Sequence, residues 1–441
     1  MSNIGVGTYV DDQHEQTSNP FDLFSSPNVI TDLIHGKTLT IFPNGPLTDT
    51  GPYDFIIPAD SSDFTLMPFT RLEGELEIVK LNGTAITDTE LNAYVNLLPQ
   101  SIFRQVECEV SGTQVCDLST PTYAYKAFLE THLGFTKDQK EIMFENLEYY
   151  KKDTLGKENT FSITADDGAN TFIERHKKMK NTKFPFSMIL HVDFLNSHRP
   201  LIPNVELKLR FIRNEDSFSL IGTDKQAKIK VSKLRLSVRR ISVDPHLTDA
   251  IEQKLASNPA IYPVTNSKIK TYTISSGRAT ERVSQIFRGK LPRQVIIGFV
   301  DSKGVDGNIT KNPFKFEHFD LNYFQAYING EPIKPQAFQP DFTAGSYMSE
   351  YRWLLDNMGC YESKNPLDIT YQEFGGNSTF FAYDLSPELC NLYHQHGNQT
   401  GVFDFDVGFK TALTSNVTAI IYGSFHEVIM IDKNRNVTIV D

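Results

Sequence analysis

The sequence predicts an all-β protein made of two tandem eight-stranded antiparallel jelly rolls, with short helices confined to loops. Three observations lead there: many short apolar runs of period two bounded by Gly, Pro, Asn and Asp, few helical stretches, and a weak internal repeat at half the chain length. At 441 residues the chain can bury about three-quarters of its unfolded surface. Apolar residues at 39% and aromatics at 12%, with 32 Phe, exclude disorder, and the absence of a short repeat excludes collagen and coiled coil.

Residues 1–27 are polar and acidic, contain Asn19-Pro20 and Ser26-Pro27, and are expected to form a flexible N-terminal arm. Alternation then begins with Lys37-Thr38-Leu39-Thr40-Ile41-Phe42 and continues in Leu72 to Val79 before the turn Asn82-Gly83. Such alternation sets one side of a strand on a core and the other in water. Further strands are expected over 102–110, 184–195, 204–213, 294–300, 322–328, 402–410 and 417–424. A helix is expected over Thr122 to Leu133, where Tyr125, Phe128, Leu129 and His132 form one stripe. Others are expected over Lys137 to Tyr150, from a Thr248 cap through Leu255 to the stop at Asn258-Pro259, and from Ser386-Pro387-Glu388.

The repeat pairs Phe103 to Gly112, followed by Tyr125-Lys126-Ala127-Phe128-Leu129-Glu130 and Gly134, with Tyr323 to Gly330, followed by Tyr351-Arg352-Trp353-Leu354-Leu355-Asp356 and Gly359. A second match sets Leu201 to Val205 against Leu413 to Val417. The offsets, 351 − 125 = 226 and 413 − 201 = 212, are both near half of 441. The expected plan is an arm over 1–27, a first jelly roll over 28–245, a connecting helix and linker over 246–265, and a second jelly roll over 266–441.

A formal charge of −11 argues against a chain that holds phosphates over its whole surface. The longest apolar runs, such as Val295 to Val300, fall far short of the ~20 residues of a membrane helix. Met1-Ser2-Asn3-Ile4 opens no signal peptide, so a soluble protein without a membrane span is expected. The four cysteines are too few for a disulfide scaffold and no Cys-x-x-Cys occurs. Cys108 and Cys116 flank Ser111-Gly112 and could face each other across a hairpin, while Cys360 and Cys390 stand alone. Free thiols in a reducing compartment are expected. Asn-x-Thr sequons at Asn82, Asn308, Asn377, Asn398, Asn416 and Asn436 read as by-products of composition.

Jelly rolls also host metal enzymes, so the histidines need weighing. His394-Gln395-His396 resembles the start of a cupin metal box but lacks the following carboxylate. His191-Val192-Asp193, on one face of a strand, with His246 as distal ligand and Lys254 as acid-binding base, is the pattern of an Fe(II)-dependent oxygenase; otherwise the pair is the polar face of a half-buried strand. Exposed Tyr347, Tyr351 and Trp353 would suit a secreted carbohydrate-binding sandwich, though Trp353 at helical spacing from Leu354 and Leu355 also reads as core. Two basic clusters, Arg175-His176-Lys177-Lys178-Met179-Lys180 and Lys228 to Arg240, read either as faces toward packaged nucleic acid or an acidic partner, or as solvated surface. In the second, the parity change at Ser232 predicts a bulge. The residues thus assign no catalytic side chain, no cofactor and no metal.

Ordered segments along nearly the whole chain resemble the major capsid proteins of Polintons (Mavericks) and adintoviruses. They are Asp22-Leu23-Phe24-Ser25-Ser26-Pro27, Asn170 to Arg175, Leu291 to Val300, Asn312-Pro313-Phe314-Lys315-Phe316-Glu317-His318-Phe319, Gln339-Pro340-Asp341-Phe342, and Ile431 to Val437. The resemblance implies a non-enzymatic double-jelly-roll, hexon-like subunit. It would form homotrimers as pseudo-hexagonal capsomers that tile an icosahedral virion shell assembled inside the host cell. Its partners would be neighbouring capsomers and penton or minor capsid proteins, with weak contact to packaged DNA through the basic faces.

Overall fold

The computed structural model of the chain describes residues 33–87, 90–116, 122–149, 155, 157–162, 171–181, 183–359, 367–386 and 399–440. The arm over 1–27, Pro387-Glu388 of the expected helix, His394, His396, Cys360, Cys390 and Asn398 lie outside these residues. The first strands in chain order are β1 Leu33–Ile41, β2 Tyr53–Ile57, β3 Asp63–Lys80, β4 Asn92–Tyr94, β5 Phe103–Val110, β6 Thr113–Gln114, β7 Phe184–Ile189, β8 Leu207–Arg213, β9 Leu220–Gly222 and β10 Ala227–Val243. The rest are β11 Ala260–Ile274, β12 Thr280–Lys290, β13 Gln294–Asp301, β14 Leu321–Ile328, β15 Glu331–Pro332, β16 Phe380–Asp384, β17 Thr400–Phe409, β18 Val417–Ile431 and β19 Val437–Val440.

Four sheets carry the fold, in the orders β1-β10-β3-β7, β2-β8-β5-β6, β11-β18-β13-β16 and β12-β17-β14-β15, with β19 at the edge of β18 and β4-β9 as a side pair. Setting β4, β9 and β19 aside leaves eight strands in each half. Numbered within its half, each has one sheet in the order 1-8-3-6 and a facing sheet in the order 2-7-4-5. The strand ladders are antiparallel. This is the jelly-roll order twice over, and the protein is a double jelly roll.

The topology also sorts the two sequence matches. The hairpin β5-β6 turns at Ser111-Gly112 and occupies places 4 and 5 of its roll, as β14-β15 with Asn329-Gly330 does in the other. Both hairpins are followed by a helix, Tyr123–Gly134 in the first roll and Met348–Asn357 in the second. That match is therefore a true equivalence. The other is not: Leu201 to Val205 leads into β8, in place 7, whereas Leu413 to Val417 leads into β18, in place 8.

Some expected boundaries move. The strand expected over 184–195 ends at Ile189, and Asp193–Asn196 is a turn of 3-10 helix. The helix expected over Lys137 to Tyr150 ends at Met143 and is followed by a 3-10 turn, Glu145–Leu147. The helix after Thr248 begins earlier, at Pro245, capped by Asp244, whose side chain accepts from the His246 N–H. β11 begins at Ala260, inside the stretch expected to be linker, since Asn258-Pro259 already ends the helix.

Two hydrophobic cores meet at the sheet β11-β18-β13-β16. Along β13, Val295, Ile297 and Phe299 enter the second roll's own core, while Ile296 and Val300 enter a core continuous with the first roll. β16 and β18 divide in the same way, with Phe380, Ala382, Ile420 and Tyr422 facing the first roll and Phe381, Tyr383, Ala419 and Ile421 facing inward. A sheet covered on both faces reads as an unbroken apolar run, which explains Val295 to Val300. The two rolls therefore share a seam.

Candidate functional site

The seam is built around the helix Tyr123–Gly134. The expected single apolar stripe is exceeded: Tyr123, Ala124, Tyr125, Ala127, Phe128, Leu129, Glu130, Thr131, His132 and Leu133 are all buried. A helix buried on nearly every side must be enclosed by other elements, and here both rolls enclose it. Its aromatic side receives Phe314 and Phe316 from the segment Asn312 to Phe319. The Phe128 and Phe314 rings stack at 4.6 Å, Tyr125 meets Phe314 edge-on at 5.7 Å, and Phe316 packs 4.7 Å from Phe380 of β16. Gly298 of β13 is required here, because a Cβ would lie 2.5 Å from the Phe316 ring.

The polar side of the helix carries charge into the same seam. Lys126 Nζ lies 2.6 Å from Asp193 Oδ2. Glu130 Oε2 lies 2.6 Å from His191 Nδ1, and its Oε1 accepts from the Tyr422 hydroxyl at 3.3 Å. Ser267 of β11 donates its N–H to Asp193 Oδ2 at 2.9 Å and its hydroxyl to Oδ1 at 3.3 Å. Two turns of chain in the first roll are thus tied to two strands of the second. Two residues beyond Glu130, His132 binds the Tyr149 hydroxyl through Nδ1 at 2.9 Å and the Ser378 hydroxyl through Nε2 at 3.1 Å. A cavity of about 50 Å³, lined by Cys116, Tyr123, Lys126, His191, Asp193 and Ser267 among others, adjoins the charged group.

Burial and neighbours set the protonation of this group. Burial pushes the Asp193 carboxyl up to about 6 against the pull of the Lys126 ammonium. Burial works against Lys126 too, but Asp193 and Glu130 hold its ammonium above the ordinary lysine value. Glu130 is held below the ordinary glutamate value, because Lys126 and His191 outweigh its burial.

His191 and Asp193 therefore meet partners other than those of an iron site. They do not share a strand face, since β7 has ended before them, and their polar atoms engage Glu130, Lys126 and Ser267. His246 sits in the exposed first turn of the helix Pro245–Leu255, and Lys254 near its end. Among the described residues no group of three or more His, Cys, Asp or Glu is arranged to hold a metal. The carbohydrate platform is corrected as well. Tyr347 is buried against Tyr371 and Phe342, and Trp353 packs on Phe338 and Tyr383 with its Nε1 donating to Ala382 O at 2.8 Å.

The basic clusters are largely neutralised. β10 lies beside the acidic face of β3, with Lys230 opposite Glu77 and ion pairs Lys233–Glu75 and Arg235–Glu73, both at 2.7 Å. The expected bulge is present, with Lys233 in the left-handed region and the register shifting between Ser232 and Arg235. In the helix Thr171–Asn181, Arg175 is buried and donates to Asn96 Oδ1 at 2.9 Å, His176 Nδ1 meets Asn92 O at 2.7 Å, and Lys178 pairs with Glu148. Two sequons have a structural origin: Asn82 and Asn308 each accept, through Oδ1, the N–H and hydroxyl of the Thr two residues on. Cys108 and Cys116 are free thiols, with the Cys116 sulfur 3.2 Å from the Cys108 N–H.

Strand order and seam together define the class as a double jelly roll whose halves form one body. No family model matches the chain. It is 23% identical over 403 residues to an uncharacterized protein of Caenorhabditis elegans, covering 88% of this chain and 92% of that protein. Among solved structures it is similar to a chain of the Sputnik virophage, with a TM-score of 0.62 and 12% identity over 100% of this chain and 94% of that one. It is also similar to the PBCV-1 virus capsid, with a TM-score of 0.61 and 11% identity over 95% and 99% of the two chains. The mavirus major capsid protein follows with a TM-score of 0.55 and 10% identity over 96% and 93%. Among the described residues no helix is long and apolar enough to cross a membrane.

Proposed function

We propose that this protein is a major capsid protein, a structural subunit rather than an enzyme, whose homotrimers form pseudo-hexagonal capsomers of an icosahedral virion shell assembled inside the host cell. The observation that carries this reading is the identical strand order of two rolls held in fixed relation by a common core. Three such chains present six similar wedges around one axis, so threefold symmetry approximates sixfold and the capsomer can tile a shell. We divide the chain into an arm over 1–27, a first roll over 28–245, a helical connection closing at Asn258-Pro259, and a second roll from there to the C-terminus.

The similarity to the PBCV-1 capsid and the mavirus major capsid protein supports the capsid role. The Polinton assignment is supported by the family-like segments from Asp22 to Val437. Partners would be neighbouring capsomers and penton or minor capsid proteins. DNA contact through β10 would be weak, because its cations already face Glu73, Glu75 and Glu77. Size-exclusion chromatography with light scattering is expected to show a trimer of 3 × 50.0 = 150 kDa, and electron microscopy pseudo-hexagonal particles. A stable monomer at micromolar concentration contradicts the reading.

A further inference from the structure

Shape alone does not call for charge inside the seam. Lys126, Glu130 and Asp193 have side chains only 13%, 0% and 4% exposed. Burying an ion pair costs desolvation that its Coulomb attraction often fails to offset, and an apolar trio of similar size would hold the seam as well. The arrangement has a second property that an ion pair does not need. The Lys126 amine touches the Asp193 carboxyl at 2.6 Å, and a second carboxylate, Glu130, stands with Oε1 3.9 Å from the amine. His191 and Tyr422 each donate to Glu130 and fix its position. Ser267 donates from its N–H and its hydroxyl to the two oxygens of Asp193.

We propose that Lys126 and Asp193 condense spontaneously to an intramolecular isopeptide bond, with Glu130 as the proton carrier. Attack requires a proton to pass from the ammonium to the carboxylate, leaving an amine and a carboxylic acid. Burial favours this neutral form while Asp193 and Glu130 oppose it by holding the ammonium, so it is the minor form and the reaction is slow. Nζ attacks Cγ of Asp193 and the Nζ–Cγ bond forms. The Ser267 donors lie where negative charge develops on the tetrahedral centre. Glu130 takes one proton from Nζ and returns it to the departing hydroxyl, the Cγ–O bond breaks, and water leaves. Ammonium plus carboxylate thus becomes amide plus water. The oxygen comes from Asp193 and both hydrogens from Lys126, the two charges cancel, and no oxidant or co-reactant is required. The adjoining cavity of about 50 Å³ has room for the released water.

Ser267 and Tyr422 belong to the second roll, so the reacting group is complete only when the rolls are docked. The bond would then tie the seam helix to the turn at Asp193 and make the docked state hard to reverse. This inference does not rest on the capsid reading, and an assembly-incompetent chain could still carry the bond. The test is the intact mass of the purified, denatured and reduced full-length chain, followed by a peptide map. The expected mass is lower by one water than the sequence requires, with a branched peptide joining Lys126 to Asp193. Lys126→Arg and Asp193→Ala are expected at full mass, and Glu130→Gln at full mass or with much slower loss. Folded wild-type protein that keeps its full mass after prolonged incubation overturns the proposal, whatever the variants do. So does a water loss that maps to a succinimide at Asp167 or Asp306, each followed by glycine. A Glu130→Gln variant that cross-links as fast as wild type overturns the role given to Glu130.

Discussion

Gly298→Ala is the most discriminating probe of the shared seam. The new methyl carbon would sit 2.5 Å from Cδ1 of Phe316, 3.0 Å from its Cε1, and 2.9 Å from Cδ1 of Phe380. Carbon atoms prefer about 3.5–4.0 Å, so a ring must retreat by about 1 Å. Phe316 has little room to do so, fully buried and packed against Phe128 at 5.9 Å, Tyr125 at 6.4 Å and Phe380 at 4.7 Å. Overpacking of this kind costs about 1–3 kcal/mol. Phe316→Ala alone removes a buried ring and is expected to cost about 3–5 kcal/mol. In the double variant the methyl enters the space that the ring has left and Phe380 gains room to retreat, so most of the cost of Gly298→Ala should disappear and the pair should couple by about 1–3 kcal/mol. Urea denaturation of the four proteins, followed by fluorescence and circular dichroism, measures this. Costs that simply add, or a harmless Gly298→Ala beside an intact Phe316, would refute the idea that β13 is pressed against the Asn312 to Phe319 segment.

Three further outcomes are expected. Burial raises Asp63, but hydrogen bonds from Lys37 and Ser242 more than offset it and hold the carboxyl below its ordinary value of 3.8. Its stabilisation is therefore present above the unfolded pKa and lost as pH falls through the folded one. Asp63→Asn should be less stable than wild type at neutral pH, and the gap should close in strong acid; an equal gap at both pH values contradicts this. Burial pushes the Cys116 thiol up to about 11 and holds that of Cys108 well above its ordinary value, so in a variant with Cys360 and Cys390 replaced by Ser, a disulfide reagent at pH 8 should react only after unfolding. Fast stoichiometric labelling of the folded chain would count against that. Finally, the ladder of β3 and β10 should limit duplex DNA binding to low salt, and a mobility shift that survives physiological salt would show cations left uncompensated.

The legible parts of the fold were those written in local pattern. Leu72 to Val79 alternates because β3 has one dry face, and the equivalent hairpins at Ser111-Gly112 and Asn329-Gly330 kept enough turn chemistry to reveal a duplication. β12 escaped because a bulge at Gln285, in the left-handed region, breaks its alternation between Val283 and Phe287. β16 escaped because Phe380 to Asp384 is buried on both faces and has no period to detect. Leu413 to Val417 misled because short β sequences resemble one another by chance.

In the seam, His191 and Asp193 were visible as an unusual pair, but their spacing suggested ligands for a metal. Their true partners, Glu130 and Lys126, lie more than sixty residues earlier and one turn apart on a helix. The available hint was four polar side chains, Lys126, Glu130, Thr131 and His132, in an otherwise apolar helix. Sequence alone determined the all-β class, the tandem halves, the hairpins and the sparing use of helix, because each depends on residues a few positions apart. The tertiary structure decided which face of β13 meets which core, which cations meet carboxylates, and that the charged group lies between the rolls. Those outcomes depend on contacts between residues far apart in the chain, and no local period encodes them.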